Sequence, residues 1–168
     1  LMTTSEHLDW HKDTEEYIGA KRNILRFQTK DDFAIVNLDY PASNESGVYT
    51  NAKVFYVSRK RETDRGCFVR GDKIIVRQDG REKEIISTDE ILLPGGHNLE
   101  NVCAAVMAAS NAGVSKANIV KVLKTFKGLE HRLELVRNFK GVKYYDDSFS
   151  TTPETAIAAI QAFKSPEI

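Results

Sequence analysis

The chain has 168 residues, 41% of them hydrophobic, which is enough for about one domain with a buried core. Lysine and arginine number 24, as do aspartate and glutamate, so the net charge is zero and gives no support to a nucleic-acid or acidic-membrane partner. No apolar run approaches the roughly 20 residues that span a bilayer, and Leu1 to Trp10 is polar and unlike a signal peptide.

The two cysteines, Cys67 and Cys103, lack metal-type spacing, and free thiols in a reducing cytoplasm are expected. Acids and two histidines, His7 and His11, open the chain. A helix follows, with Asp13 as its cap and Glu16 three residues on, as in a capping box. Its apolar positions are Tyr17, Ile18, Ala20, Ile24 and Leu25, and at about 100° per residue Lys21 falls in the middle of that face. Two readings of Lys21 stand open. Its stem packs while its amine reaches water, or the amine is desolvated, has a lowered pKa and can react with carbon dioxide to a carbamate.

Phe33 to Leu38 and Lys53 to Ser58 are continuous apolar runs, as expected for buried parallel strands. Asp39-Tyr40-Pro41 turns the chain between them, and Ala42 to Tyr49 suits a short helix. Residues 59–66 are charged and read as a loop. Cys67 to Val69, Lys73 to Gln78 and Glu82 to Ser87 form the pattern of a small antiparallel meander, with Gly71-Asp72 and Asp79-Gly80 at its turns. Asn98 is the expected cap of a helix running to about Ala112, with the stripe Leu99, Val102, Cys103, Val106 and Met107. Asn101 joins Asn98 in the first turn, and capping alone does not account for it. Ser115 caps the next helix, which buries Ile119, Val122, Leu123 and Phe126 and ends at Gly128. A strand around Val142 to Asp147 then runs into a helix capped by Thr152, with Pro153 in first position and an end near Phe163. A carboxylate at a strand's carboxyl end beside a helix N-terminus suits nucleotide binding in an α/β sheet, although an ordinary solvated acidic turn has the same pattern.

Three segments carry a family resemblance, in order. They are His7-Leu8-Asp9 with Glu16-Tyr17-x-x-Ala20-Lys21; Gly-x-His-Asn-x-x-Asn-x-x-Ala-Ala around Asn98 and Asn101; and His131-Arg132-Leu133-Glu134 followed by Asp147-Ser148-x-x-Thr151. Together they resemble the Mur ligase family. The resemblance implies an α/β fold: the later half of the central ATP-binding domain at residues 1–129, then the first strand and helix of a Rossmann-like C-terminal domain at 130–168. It also implies ATP and Mg²⁺. His7, and Lys21 as a carbamate, would serve the metal. Asn98 and Asn101 would hold adenine; His131, Arg132 and Asp147 would hold the nucleotide; Ser148 and Thr151 would face the incoming amino acid. The Asp-Asp-Ser-x-x-Thr form favours the D-glutamate-adding branch, which joins D-glutamate to UDP-N-acetylmuramoyl-L-alanine through an acyl phosphate in peptidoglycan precursor synthesis. Phe149 stands where that branch usually has lysine, so a relative with another amino acid substrate stays open.

The Gly-x-x-x-x-Gly-Lys-[Ser/Thr] loop that cradles ATP phosphates does not occur in the 168 residues. The family has it ahead of the His-Leu-Asp segment, and the chain opens on Leu1, so an internal fragment is expected. The parent protein would be a cytoplasmic monomer acting on small molecules, with the isolated fragment inactive; the alternative is a non-catalytic module that keeps the fold without turnover.

Overall fold

The computed structural model describes residues 9–163. Five strands form one sheet in sequence order: β1 (Phe33–Asn37), β2 (Lys53–Ser58), β3 (Gly66–Arg70), β4 (Lys73–Gln78) and β5 (Arg81–Ser87). The first three run parallel and the last two antiparallel. The meander is therefore not a separate unit. Its first strand continues the parallel sheet through Tyr56↔Gly66, Val57↔Cys67 and Ser58↔Phe68.

Alternation explains why the β1 and β2 runs are apolar throughout. Successive side chains point to opposite faces, and both faces are covered. Phe55 and Val57 belong to the main core, with Ile35 packed against it, and share it with Val102, Cys103, Val106 and Met107 of helix α3 (Gly96–Asn111). Val36, Val54 and Tyr56 face Gly47, in a 3₁₀ turn over Ser46–Tyr49. That turn follows the short helix α2 (Pro41–Glu45), so the expected helix over this stretch exists in two pieces. Asp79 and Gly80 both have positive φ, 51° and 72°, the geometry of a two-residue hairpin turn. Both thiols are free and buried, and burial pushes the Cys67 thiol up.

Helix α1 (Thr14–Arg26) is capped by Asp13, whose side chain accepts from the Glu16 N–H. The reciprocal arm differs from expectation: the Glu16 carboxylate accepts from Lys12 N at 3.0 Å, not from the cap residue. The apolar face of α1 is narrower than its sequence suggests. Tyr17 is buried, but Ile24 is 79% exposed and Lys21 lies in solvent. Helix α3 (Gly96–Asn111) starts earlier than expected. Gly95 is its cap, with φ 89°, and Asn98 lies inside its first turn. Helix α4 (Lys116–Thr125) is capped by Ser115 as expected and buries Ile119, but Val122 and Phe126 are exposed. It ends before Gly128, which follows as a separate left-handed residue with φ 104°.

Beyond Gly128, β6 (Glu134–Phe139) and β7 (Val142–Asp146) form a two-stranded antiparallel sheet of their own. The expected strand is β7; its partner β6 was not read from the sequence. Lys140 and Gly141, both at positive φ, make the turn. Helix α5 (Pro153–Ile160) follows, capped by Thr152 in a reciprocal capping box with Thr155, and stops short of Phe163. No described helix is long and apolar enough to cross a membrane.

Candidate functional site

The carboxyl ends of β1 and β2 meet the N-terminus of α3, where open α/β sheets place ligands. Asn37 ends β1 and is fully buried, so each of its polar groups must find a partner. Its backbone N–H donates to Ser43 Oγ (2.9 Å), its Oδ1 accepts from Asp39 N (2.9 Å), and its Nδ2 donates to Glu100 Oε2 (3.3 Å). Asp39 in turn accepts from Ser58 Oγ (2.6 Å) and Arg59 N (2.8 Å). Glu100 is 5% exposed, and its other oxygen accepts from Arg59 Nε at 3.1 Å. Burial first, and then a hydrogen bond to the Glu100 carboxylate, push the Tyr40 phenol up to about 12.

The first turn of α3 carries two linked amides. Asn101 Nδ2 donates to Asn98 Oδ1 (3.2 Å), and Asn98 Nδ2 donates to Pro94 O (2.7 Å). Gly95 is required here. A Cβ at this residue would come within 2.8 Å of both His97 Cε1 and Ala162 Cβ. His97 is half-buried. Desolvation lowers its pKa, and the Arg132 guanidinium lowers it further.

Across from α3 stands the segment entering β6. His131 and Leu133 both adopt left-handed φ, 61° and 47°, which costs a non-glycine residue about 1–2 kcal/mol. The neighbouring hydrogen bonds hold them there. His131 N donates to Glu134 Oε2 (2.8 Å), and His131 Nδ1 meets Asp146 Oδ2 at 2.7 Å. Leu133 N donates to Asp147 Oδ1 (3.0 Å), and Ser150 Oγ donates to the other Asp147 oxygen. The two adjacent acids thus serve different surroundings. Asp146 pairs with His131, and Asp147 reaches into the space opposite α3.

That space is a cleft of about 580 Å³. Of the residues singled out from the sequence, Asn101, Arg132, Asp147 and Thr151 line it. Asn98 adjoins it through Asn101. His131 and Ser148 do not line it; Ser148 N donates to Asp146 Oδ1 at 3.0 Å. Lys21 lies elsewhere, on α1, with its amine 5.2 Å from the Tyr17 ring centroid. Its side chain is exposed, so of the two readings of Lys21 the structure shows the one in which the amine reaches water. His7 lies outside the described residues. Among the described residues, the only group of three or more His, Cys, Asp and Glu side chains able to share an ion is His131, Glu134 and Asp146.

Tyr40, Arg59, His97 and Glu100 also line the cleft and were given no role from the sequence. Glu100 carried a usable signal. It lies three residues before Cys103 and seven before Met107, so at helical period it belongs to the buried face. An acid there requires a partner.

The His131–Asp146 pair gives a pH prediction. Its hydrogen bond to Asp146 raises His131 above the ordinary 6.5, and the same bond lowers Asp146 from 3.8 to about 2. The histidine's contribution to stability is complete below 6.5 and is lost as pH rises through the raised value. The aspartate's is complete above 3.8 and is lost as pH falls through about 2. The pair therefore contributes most between those ordinary values. An NMR titration should show His131 titrating above an ordinary histidine, and Asp146→Asn should return it; an unshifted His131 would refute the pairing.

The sequence pattern of the Mur ligase middle domain matches residues 2–109. A UDP-N-acetylmuramoylalanine--D-glutamate ligase from Alkaliphilus oremlandii is 42% identical over 166 residues, 99% of this chain and 37% of that protein. One from Clostridioides difficile is 41% identical over 168 residues, 100% of this chain and 37% of that protein. The chain thus spans little more than a third of the curated relatives it matches. Among solved structures, MurF from Acinetobacter baumannii superimposes with a TM-score of 0.75 at 21% identity, over 95% of this chain and 35% of that one. A pseudomurein peptide ligase type C from Methanothermus fervidus gives a TM-score of 0.65 at 16% identity, over 95% of this chain and 38% of that one. These structures share the fold, and the sequence match over most of the central sheet and α3 gives the lineage: the chain belongs to the Mur ligase family.

Proposed function

We propose that this chain is part of an ATP-dependent ligase of peptidoglycan precursor synthesis, which adds D-glutamate to UDP-N-acetylmuramoyl-L-alanine in the cytoplasm. The observation that carries the reading is the convergence of Asn101, Arg132, Asp147 and Thr151 on one cleft, from segments far apart in the chain. The names of the relatives supply the reaction. The Asn98–Asn101 amide pair offers both donors and acceptors, as an adenine edge requires. Asp147 accepts hydrogen bonds, as ribose hydroxyls require. Arg132 has no carboxylate partner among the described residues and is free to meet phosphate oxygens. Thr151 faces the incoming amino acid, with Ser148 behind it, and His131 acts through Asp146 to hold the strand end in place.

In this reading ATP phosphorylates the substrate carboxylate, the amine of D-glutamate attacks the acyl phosphate, and phosphate leaves. Residues 1–129 form part of the nucleotide-binding domain and residues 130–168 the start of the next. The protein acts as a monomer. Mg²⁺ is expected with ATP, and His7 and a carbamylated Lys21 are its proposed ligands from the family resemblance alone. Phe149 in the cleft favours one variation, a different amino acid substrate, because it replaces a charged group with an apolar ring.

Two preparations test the reading. The 168-residue chain alone, without a phosphate loop, should release no phosphate with ATP, UDP-N-acetylmuramoyl-L-alanine and D-glutamate. A preparation of the protein that includes a phosphate loop should release it only when both co-substrates are present. Turnover with another amino acid in place of D-glutamate would move the assignment to that substrate.

A further inference from the structure

Arg59 is more constrained than a cleft-lining arginine needs to be. It follows the last residue of β2, and its backbone N–H is fixed by Asp39. Its Nε donates to the buried Glu100, and Glu100 is itself fixed by Asn37. The guanidinium lies flat against Gly96, the first residue of α3. A Cβ at Gly96 would meet Nη1 at 3.1 Å, Cζ at 3.2 Å and Nε at 3.3 Å. The side chain is still 37% exposed, and the group lines the cleft beside Asn101. Neither Nη donates a hydrogen bond among the described residues. The result is a planar group with one face supported by backbone and its outer edge open.

The charge pattern indicates what such a group takes. Arg59 is already neutralised by Glu100, whereas Arg132, across the cleft, has no acidic partner among the described residues. The unpaired cation suits the phosphates. The paired, flat one suits an uncharged ring, because guanidinium groups stack well on aromatic faces. It also lies on the side of the cleft that carries the Asn98–Asn101 amides. We infer that Arg59 is a stacking contact for the base of the bound nucleotide and that Glu100 is its positioning residue. This rests on the nucleotide reading of the cleft given above.

The test uses a preparation that carries a phosphate loop, with adenosine, ATP and inorganic triphosphate as probes. Arg59→Ala should weaken adenosine and ATP alike, by about ten-fold, and leave triphosphate unchanged. Arg59→Lys should not restore binding, because an ammonium keeps the charge but not the plane. Glu100→Gln should raise the ATP KM with kcat retained, which a merely structural loss would not do. Triphosphate weakened with adenosine untouched would overturn the inference in favour of a phosphate contact, and so would full rescue by lysine. Asp147→Asn separates the two failures. If it weakens ATP while Arg59→Ala is silent, only this inference falls. If both are silent, the nucleotide reading falls with it.

Discussion

Gly66→Ala should remove most of the stability of the chain, by more than about 4 kcal/mol. Gly66 opens β3 with φ 150°, and a Cβ built there would stand 1.7 Å from the Tyr56 carbonyl oxygen and 2.8 Å from Tyr56 N. Both are backbone atoms and cannot swing aside as a flexible side chain would. Tyr56 is the partner of Gly66 in the β2–β3 pairing, and Tyr56 N donates its hydrogen bond to Arg65 O at 2.9 Å. Relieving the clash must part the two strands. Their seam has only three paired positions, and it joins the parallel half of the sheet to the antiparallel half. Since domains of this size are stable by only about 5–15 kcal/mol, a loss on this scale should appear as a large drop in the urea midpoint. Gly71→Ala is the control. It also has positive φ, 60°, but nothing lies within 4 Å of its Cβ, so it should cost only the left-handed penalty of about 1–2 kcal/mol. Equal midpoints for the two variants would show that the β2–β3 seam tolerates displacement. The effect reaches the site, because Ser58 and Arg59 follow directly from the same strand.

The sequence made the β1, β2 and hairpin-turn positions legible, because each rests on local chemistry: continuous apolar runs, Asp-Gly, and Thr-Pro at a helix start. It missed features set by distant partners. The charged segment 59–66 read as a loop, and 59–65 is one, but its tie to the meander was not legible: Glu62 accepts from Arg70 at 2.7 Å and from Arg77 at 2.8 Å. Strand β6 was unread because its residues lie exposed on both faces, which leaves no periodic apolar signal. The start of α3 was misplaced by three residues. Asn98 is a good capping residue by type, but the left-handed Gly95 starts the helix and Asn98 bonds back to Pro94. Lys21 was placed by helical period alone, and period does not reveal how wide a face the neighbours cover. The cleft itself was legible only as separate motifs. That Arg59 and Glu100 belong to it depends on β2 and α3 meeting, which no local pattern encodes.

Asp147→Asn should raise the ATP KM by about ten- to a hundred-fold, the loss of one charge-assisted hydrogen bond of roughly 1.5–3 kcal/mol. Asp146→Asn should raise it far less. Side chains alternate along a strand, and β7 ends at Asp146. The two carboxylates accordingly part: Asp146 to the exposed His131, Asp147 into the cleft. An asparagine at Asp147 keeps one oxygen to accept from Leu133 N, so the left-handed turn at Leu133 can persist. What it loses is charge, together with the second acceptor that now takes the Ser150 hydroxyl. The thermal midpoint should therefore move little while the KM moves much. Asp146→Asn reverses that balance. It releases His131, lowers stability most in the mildly acidic range where the imidazole is charged, and leaves the cleft lining intact. Comparing ATP KM and thermal midpoint for both variants, at pH 6 and pH 8, separates the roles. If the larger KM effect falls on Asp146, the β7 register is shifted by one residue, and the proposed placement of Ser148 and Thr151 toward the incoming amino acid falls with it.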